Sequence, residues 1–174
     1  MEDRRQRFEA LALPHMDAAY SLARWLARSP QDADDVVQDA MLRAYRAFDG
    51  FRGDNIQAWL LTIVRNCWRN RAADLRRRAH EALPGEDERP LAADEPGPED
   101  EALRGSDRRR LDMLIDQLPE DFRTVLVLRE IHDMSYREIA EATKAPIGTV
   151  MSRLARARGL LKEQWLEEGY DGVR

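Results

Sequence analysis

The chain has 174 residues, enough for one domain or two small ones, and its 28 basic and 33 acidic side chains leave a formal charge of −5. A charged fraction of 35% with only 7% aromatic residues favours a helical, soluble protein, and no run of about 18 apolar residues is present to insert in a membrane. The single cysteine, Cys67, excludes an internal disulfide and fits a reducing compartment; with only His15, His80 and His132 beside it and no ligand spacing, no metal or cofactor is expected.

The N-terminal stretch MEDRRQRFEALALP places charge where a secretion signal needs its apolar centre, so the chain is expected in the cytoplasm. Phe8, Leu11 and Leu13 begin an apolar pattern, Pro14 opens a helix, and Met16, Ala19, Tyr20, Leu22, Ala23 and Leu26 carry it to about Arg28. Ser29-Pro30 then punctuates the chain, and Asp32, Asp34 and Asp35 suit the positive end of the next helix dipole. In that helix Val36, Val37, Ala40, Met41, Ala44, Tyr45 and Phe48 recur at helical spacing. Its other face carries Asp35, Gln38, Asp39, Leu42, Arg43 and Arg46, a mixed-charge strip that composition alone makes a solvated surface.

Asp49 to Asn55 reads as a loop, with Gly50 and Gly53 free to take positive φ and polar side chains able to bond the local backbone. From Ile56 a long helix follows, with Trp59, Leu60, Ile63, Val64 and Cys67 as its core stripe. Its end changes character: Arg65, Arg69, Arg71, Arg76, Arg77 and Arg78 are interleaved with Asn66, Trp68 and Asn70. Such a face suits a held phosphate backbone and unpaired bases that are stacked or hydrogen-bonded, the plainer alternative being a solvated charge run.

Residues 83–107 hold two basic and nine acidic side chains with repeated Pro and Gly and no apolar periodicity, and they cannot bury enough surface to offset their ordering entropy. They are expected to link a domain at 1–82 to one at 108–174, as a solvated spacer or as an acidic tether that competes with phosphate for basic faces. Beyond them, Leu111, Leu114, Ile115 and Leu118 mark a short helix, and Pro119-Glu120-Asp121 starts another with Phe122, Val125, Leu126, Leu128 and Ile131 inward. Ser135 then caps a helix and Glu138 completes a capping box; Lys144-Ala145 ends it, and Pro146 suits the start of the next. Along that last helix Val150, Leu154, Ala157 and Leu161 form a buried stripe, with Thr149, Ser152, Arg153, Arg156 and Arg158 off it. Two short helices meeting at a tight break are the layout of a helix-turn-helix, whose second helix reads a major groove. The whole is expected to be all-α, two small helical domains joined by an acidic flexible linker.

DADDVVQDAMLRAYRAFDGFRGDNIQAWLLTIVRNCWRNR, followed after the linker by LDMLIDQLPEDFRTVLVLREIHDMSYREIAEATKAPIGTVMSRLARAR, resembles a bacterial RNA polymerase sigma factor of the extracytoplasmic-function group, over nearly all of residues 8–165. The resemblance implies a first domain that binds the clamp helices of core RNA polymerase and melts the minus 10 promoter element, and a second that reads the minus 35 element as duplex. By matching position it assigns Asp35, Gln38, Asp39 and Arg43 to the polymerase. Gly53, Asp54, Asn55, Trp59, Asn66 and Arg69 go to minus 10 DNA, and Arg137, Thr149, Ser152, Arg153 and Arg156 to minus 35 DNA. It implies no catalytic residue, and it implies an anti-sigma factor as a further partner.

Two rival classes make distinct demands. A stand-alone helix-turn-helix repressor needs a self-complementary apolar interface and a palindromic site, and the charged strip of the first domain argues against an obligate homo-oligomer. A nucleic-acid enzyme needs a metal or nucleophile cluster. Outside the acidic linker, Asp32, Asp34, Asp35 and Asp39 are the dense carboxylates, and the helix dipole already accounts for the first three.

Overall fold

The computed structural model describes residues 2–81 and 104–170, and every regular element among them is helical. The chain divides into two compact units with the boundary at residues 93 and 94, inside the segment expected to be a linker. Residues 83–103 of that segment lie outside the described residues; its last four, 104–107, are the first turn of a helix whose start places Asp107 at the positive end of the dipole.

The first unit contains α1 (Glu2–Ala12), a 3₁₀ turn (Leu13–His15), α2 (Met16–Ala27), α3 (Pro30–Ala47), a 3₁₀ turn (Phe48–Gly50) and α4 (Ile56–Glu81). Helices α2, α3 and α4 pack on one another around Leu22, Leu26, Val36, Leu60, Leu61 and Val64, all but inaccessible to water. Helix α1 is not legible as an apolar stripe because, among its described side chains, only Phe8 and Ala12 enter the core. Polar contacts hold it instead. Arg4 donates to Asp49 Oδ1 at 3.0 Å and to the Tyr45 carbonyl at 2.8 Å, and Phe8 stands edge-on to Tyr45 and Phe48 at 5.3 Å. Leu11, Leu13 and Tyr20, expected inward, are exposed: α1 runs on to Ala12, and the turn at Pro14 swings the following residues out of phase with it.

Ser29 caps α3, accepting from the Asp32 N–H, and Pro30 occupies its first position, where no donor is needed. In α4 the core line is Ala58, Leu60, Leu61, Val64, Arg65 and Cys67, whereas Trp59 and Ile63 are only half-buried. The rotation takes Arg65 out of the basic face expected of it. Trp68 turns inward too, with its indole Nε1 buried and without an acceptor among the described residues. Neither glycine in the 49–55 loop takes positive φ; Gly53 serves close approach, since a Cβ there would lie 3.3 Å from the Phe51 ring.

The second unit contains α5 (Arg104–Gln117), α6 (Glu120–Leu126), a π turn (Val127–Ile131), α7 (Tyr136–Thr143) and α8 (Ile147–Tyr170). Its core is built from Leu114, Leu128, Met134, Ile139, Val150 and Leu154, with α8 packed against α5, α6 and α7. In an unbroken helix Ile131 would return to the inner side one turn after Val127 and Leu128. The wider turn, closed by the His132 N–H on the Val127 carbonyl at 3.2 Å, delays that return by one residue. His132 is therefore buried and Ile131 exposed, the reverse of the periodic expectation.

Burial alone lowers the pKa of His132 from its ordinary value, and its Nε2 has no partner among the described residues. The folded unit thus resists a proton that the unfolded chain accepts near pH 6.5. Stability from this group is complete above that pH and declines as pH falls below it. Asp112, raised by burial, acts in the opposite sense. The thermal midpoint of the second unit should accordingly fall between pH 7.5 and 5.5, and His132→Leu should flatten the fall; equal slopes in the two proteins would refute the assignment.

Candidate nucleic-acid and polymerase interface

Helix α7 begins with the capping box expected of it. Ser135 Oγ accepts from the Glu138 N–H at 3.2 Å, and Glu138 Oε2 accepts from the Ser135 N–H at 2.8 Å. Lys144 ends the helix in the left-handed region at φ 51°, with the Ala145 N–H closing back on the Ala140 carbonyl at 3.1 Å. Pro146 sits directly before α8, its carbonyl accepting from Thr149 and Val150. The break between the helices is thus two residues, Lys144 and Ala145, before that proline.

Val150, Leu154 and Ala157 fix the inner line of α8. At about 100° per residue the line farthest from the core passes through Ser152 and Ala155, with Arg156 on one flank and Met151 on the other. Arg156 is exposed and has no ionic partner among the described residues. Arg153 differs: it leans back to Asp121 at 2.9 Å, and its side chain is only 27% exposed. Arg158 is likewise held, its Nε 3.0 Å from Glu130. Arg137 extends from α7 with a loose i,i+4 contact to Glu141 at 3.4 Å, and Thr149 is half-buried, its carbonyl accepting from Ser152 Oγ. Of the five residues matched to minus 35 DNA, Arg137, Ser152 and Arg156 are outward, while Thr149 and Arg153 are partly used by the fold. Met151 is 51% exposed on the same face, a placement that the sequence does not announce because a lone methionine gives no polar signal.

In the first unit the face of α4 opposite the core carries Trp59, Thr62, Ile63, Asn66, Arg69 and Asn70 at helical spacing. Trp59, Asn66 and Arg69 are therefore brought together, with Gly53, Asp54 and Asn55 in the exposed loop that leads into the helix. Trp59 lies against Phe51 with ring centroids 5.1 Å apart and is half-buried, at the edge between the core and the surface. Asn55 caps α4, its Oδ1 accepting from the Ala58 N–H at 3.1 Å, so its carbonyl oxygen already holds a structural bond. Arg71 is drawn out of the basic run. It bridges Asp32 at 2.7 Å and Asp35 at 2.8 Å and so ties α4 to α3.

The strip on α3 divides between two clefts. Asp35, Asp39 and Arg43 border one of about 250 Å³ that reaches across to Cys67, Asn70, Arg71 and Arg78 on α4. Asp39 pairs with Arg43 at 3.0 Å. Gln38 borders the other, an open groove of about 750 Å³ between α1 and α3 whose walls are Phe8, Leu13, Met16, Val37, Met41 and Tyr45. Leu42 stands between the clefts at 58% exposure, an apolar side chain in the middle of a polar strip. Its exposure shows only once the helix is rotated into place, because the sequence pattern weights it with its charged neighbours.

Cys67 is buried on the inner side of the first cleft, and burial, reinforced by Asp39, pushes its thiol up to about 11. A thiol so displaced has about a hundredfold less thiolate near pH 8 than an ordinary cysteine. Alkylation by iodoacetamide should be slower than that of free cysteine by at least this factor, and a rate within threefold of free cysteine would show the site to be open. Among the described residues no three His, Cys, Asp or Glu side chains gather as metal ligands, and no helix is long and apolar enough to cross a membrane.

Residues 11–78 match the family described as Sigma-70 region 2, and residues 108–161 match that described as Sigma-70, region 4. The chain is 35% identical to the RNA polymerase sigma-H factor of Pseudomonas aeruginosa over 161 residues, 88% of this chain and 83% of that one. It is 36% identical to the ECF RNA polymerase sigma-E factor of Haemophilus influenzae over 82% of this chain and 78% of the other. Among solved structures it resembles the sigma factor RpoE in complex with the anti-sigma factor NepR from Bartonella quintana. That match has a TM-score of 0.75 and 28% identity, covering 94% of this chain and 96% of that one. CnrH in complex with the cytosolic domain of CnrY aligns with a TM-score of 0.63 at 27% identity, covering 92% and 88%.

Proposed function

Because the chain belongs to the extracytoplasmic-function group of the sigma-70 family of RNA polymerase sigma factors, we propose that its two units divide promoter recognition between them. As a sigma factor it binds core RNA polymerase and directs promoter-specific initiation of transcription, in the cytoplasm and without chemistry of its own. The first unit, 1–82, docks on the polymerase through the α3 strip of Asp35, Gln38, Asp39 and Arg43, with Leu42 at its centre. It engages the minus 10 element through Gly53, Asp54, Asn55, Trp59, Asn66 and Arg69. A half-exposed indole beside an amide and an arginine suits a base taken out of the stack. The second unit, from α5 onward, reads minus 35 duplex through α8, with Arg137, Ser152 and Arg156 as its principal contacts and the segment before α5 spanning between elements.

The observation that carries this reading is the placement of α8. Its inner line is fixed in the core and its opposite side turns Ser152 and Arg156 to solvent, as a helix that enters a major groove requires. The cationic surface available to DNA is reduced, because Arg71, Arg153 and Arg158 are tied to carboxylates of the same chain. The free protein therefore binds promoters weakly, and polymerase supplies the remaining affinity. An anti-sigma factor holds the protein in check by covering polymerase-binding surfaces, and the apolar groove beside Gln38 suits an amphipathic helix of that partner.

Run-off transcription with purified core polymerase on a pool of genomic promoter fragments, with and without the protein, tests this reading alongside a gel shift of the protein alone. New transcripts that require both components, with weak shifts by the free protein, are expected. Tight binding of a palindrome by a dimer with no new transcripts would make the protein a stand-alone repressor instead.

A further inference from the structure

We propose that Met151 selects a thymine in the upstream promoter element by apolar contact with its 5-methyl group in the major groove. The inference rests on the assignment of α8 as the helix that reads that element. Met151 lies in the first two turns of α8, flanking Ser152 and Ala155 on the side opposite Arg156, and is 51% exposed; Ile147, one turn earlier, is 47% exposed. The two form an apolar ridge along one edge of the DNA-facing side, while Arg156, which has no ionic partner among the described residues, lies along the other.

Exposed apolar side chains are ordinary on protein surfaces, and Leu166 on the same helix is one. Met151 differs in where a docked duplex would put it. A side chain between Ser152 and Ile147 on the leading turns reaches base edges, and a thioether has no strong donor or acceptor to offer them. Among the four bases only thymine presents a methyl group there. The other three would set a polar edge against the methionine and leave it without water or partner. Arg153, the nearest cation along the helix, does not compete for that edge because it is turned to Asp121. The flexible Met151 chain follows the methyl as the duplex adjusts, while Ile147 closes the ridge from behind.

The test uses holoenzyme assembled from core polymerase and the full chain, on a promoter found by run-off selection. Each thymine of the upstream element is replaced singly by deoxyuridine, which removes the methyl group and leaves pairing intact. At one position of the element the replacement should weaken the promoter complex by about three- to fivefold, the scale of one buried methyl group. Met151→Ser, a change at an exposed site that leaves the fold alone, should weaken the wild-type promoter by a similar factor and abolish sensitivity to that one replacement. Insensitivity to every deoxyuridine in the wild-type holoenzyme, unchanged sensitivity in Met151→Ser, or an upstream element without an invariant thymine would each overturn the inference while transcription itself still upheld the reading of α8. Absence of any transcript from the wild-type holoenzyme would overturn that reading and this inference with it.

Discussion

Arg156→Ala should reduce transcription from promoters that depend on the upstream element by about fivefold or more and leave the thermal unfolding of the second unit unchanged. The side chain is exposed and holds no carboxylate among the described residues, so its loss removes nothing from the fold. What it loses is an unengaged cation in the leading turns of the face of α8 that the groove receives. Arginine contacts to a base edge discriminate by about 1–3 kcal/mol, which spans roughly 5- to 150-fold in promoter affinity. The neighbouring Arg153→Ala should behave differently: it breaks the pair with Asp121, a contact worth about 1 kcal/mol or less at this exposure, and lowers stability more visibly than recognition. Promoter-complex titrations and circular-dichroism melts of the two variants, run side by side, separate these outcomes. A large stability loss in Arg156→Ala, or equal recognition defects in both, would show that α8 meets DNA on a different edge.

Leu154→Ala is expected to act in the opposite order, unfolding first and losing recognition as a consequence. Leu154 is 1% exposed at the centre of the inner line of α8, against helices that contribute Leu114, Leu128 and Ile139. A buried leucine truncated to alanine costs about 2–5 kcal/mol. A unit of this length has a total stability of only about 3–10 kcal/mol. The second unit of this variant should therefore be largely or wholly unfolded near 37 °C, while the first keeps its own transition. Hydrogen exchange resolved by segment would see protection lost in α5 to α8 and retained in α2 to α4. Retention of both sets would mean that the core around Leu154 closes over the cavity more readily than its burial indicates.

The fold is legible in the sequence wherever the side-chain period and the backbone agree. Ser135 and Glu138 specify a local hydrogen-bond pattern within four residues, so the capping box and the start of α7 were legible without any tertiary information. The stripes Val36–Val37–Ala40–Ala44 and Val150–Leu154–Ala157 were legible for the same reason: one period runs through them unbroken. Helix α1 was not, because arginine contacts to the end of α3 hold it and such contacts leave no periodic trace. Arg71 and Arg153 read as members of basic faces because a sequence displays charge without partners; Asp32, Asp35 and Asp121 reach them only through folding. Leu42 and Met151 escaped for the converse reason. An apolar residue at an outward position stands out only when the rotation of its helix is known.

The wide turn at Val127–Ile131 has a consequence for how this fold changes over generations. A π turn is what a helix retains when one residue is added within it and the flanking packing is kept. Loss of one residue between Leu128 and Ile131 would restore the ordinary winding, and His132, then four residues after Val127, would keep its inward place. Helix α7 and the reading helix would keep their phase on α6, whereas the same loss elsewhere in the helix would rotate everything downstream by about 100°. The segment from Val127 to Ile131 is thus the place where a single codon can be lost without re-aiming the reading head.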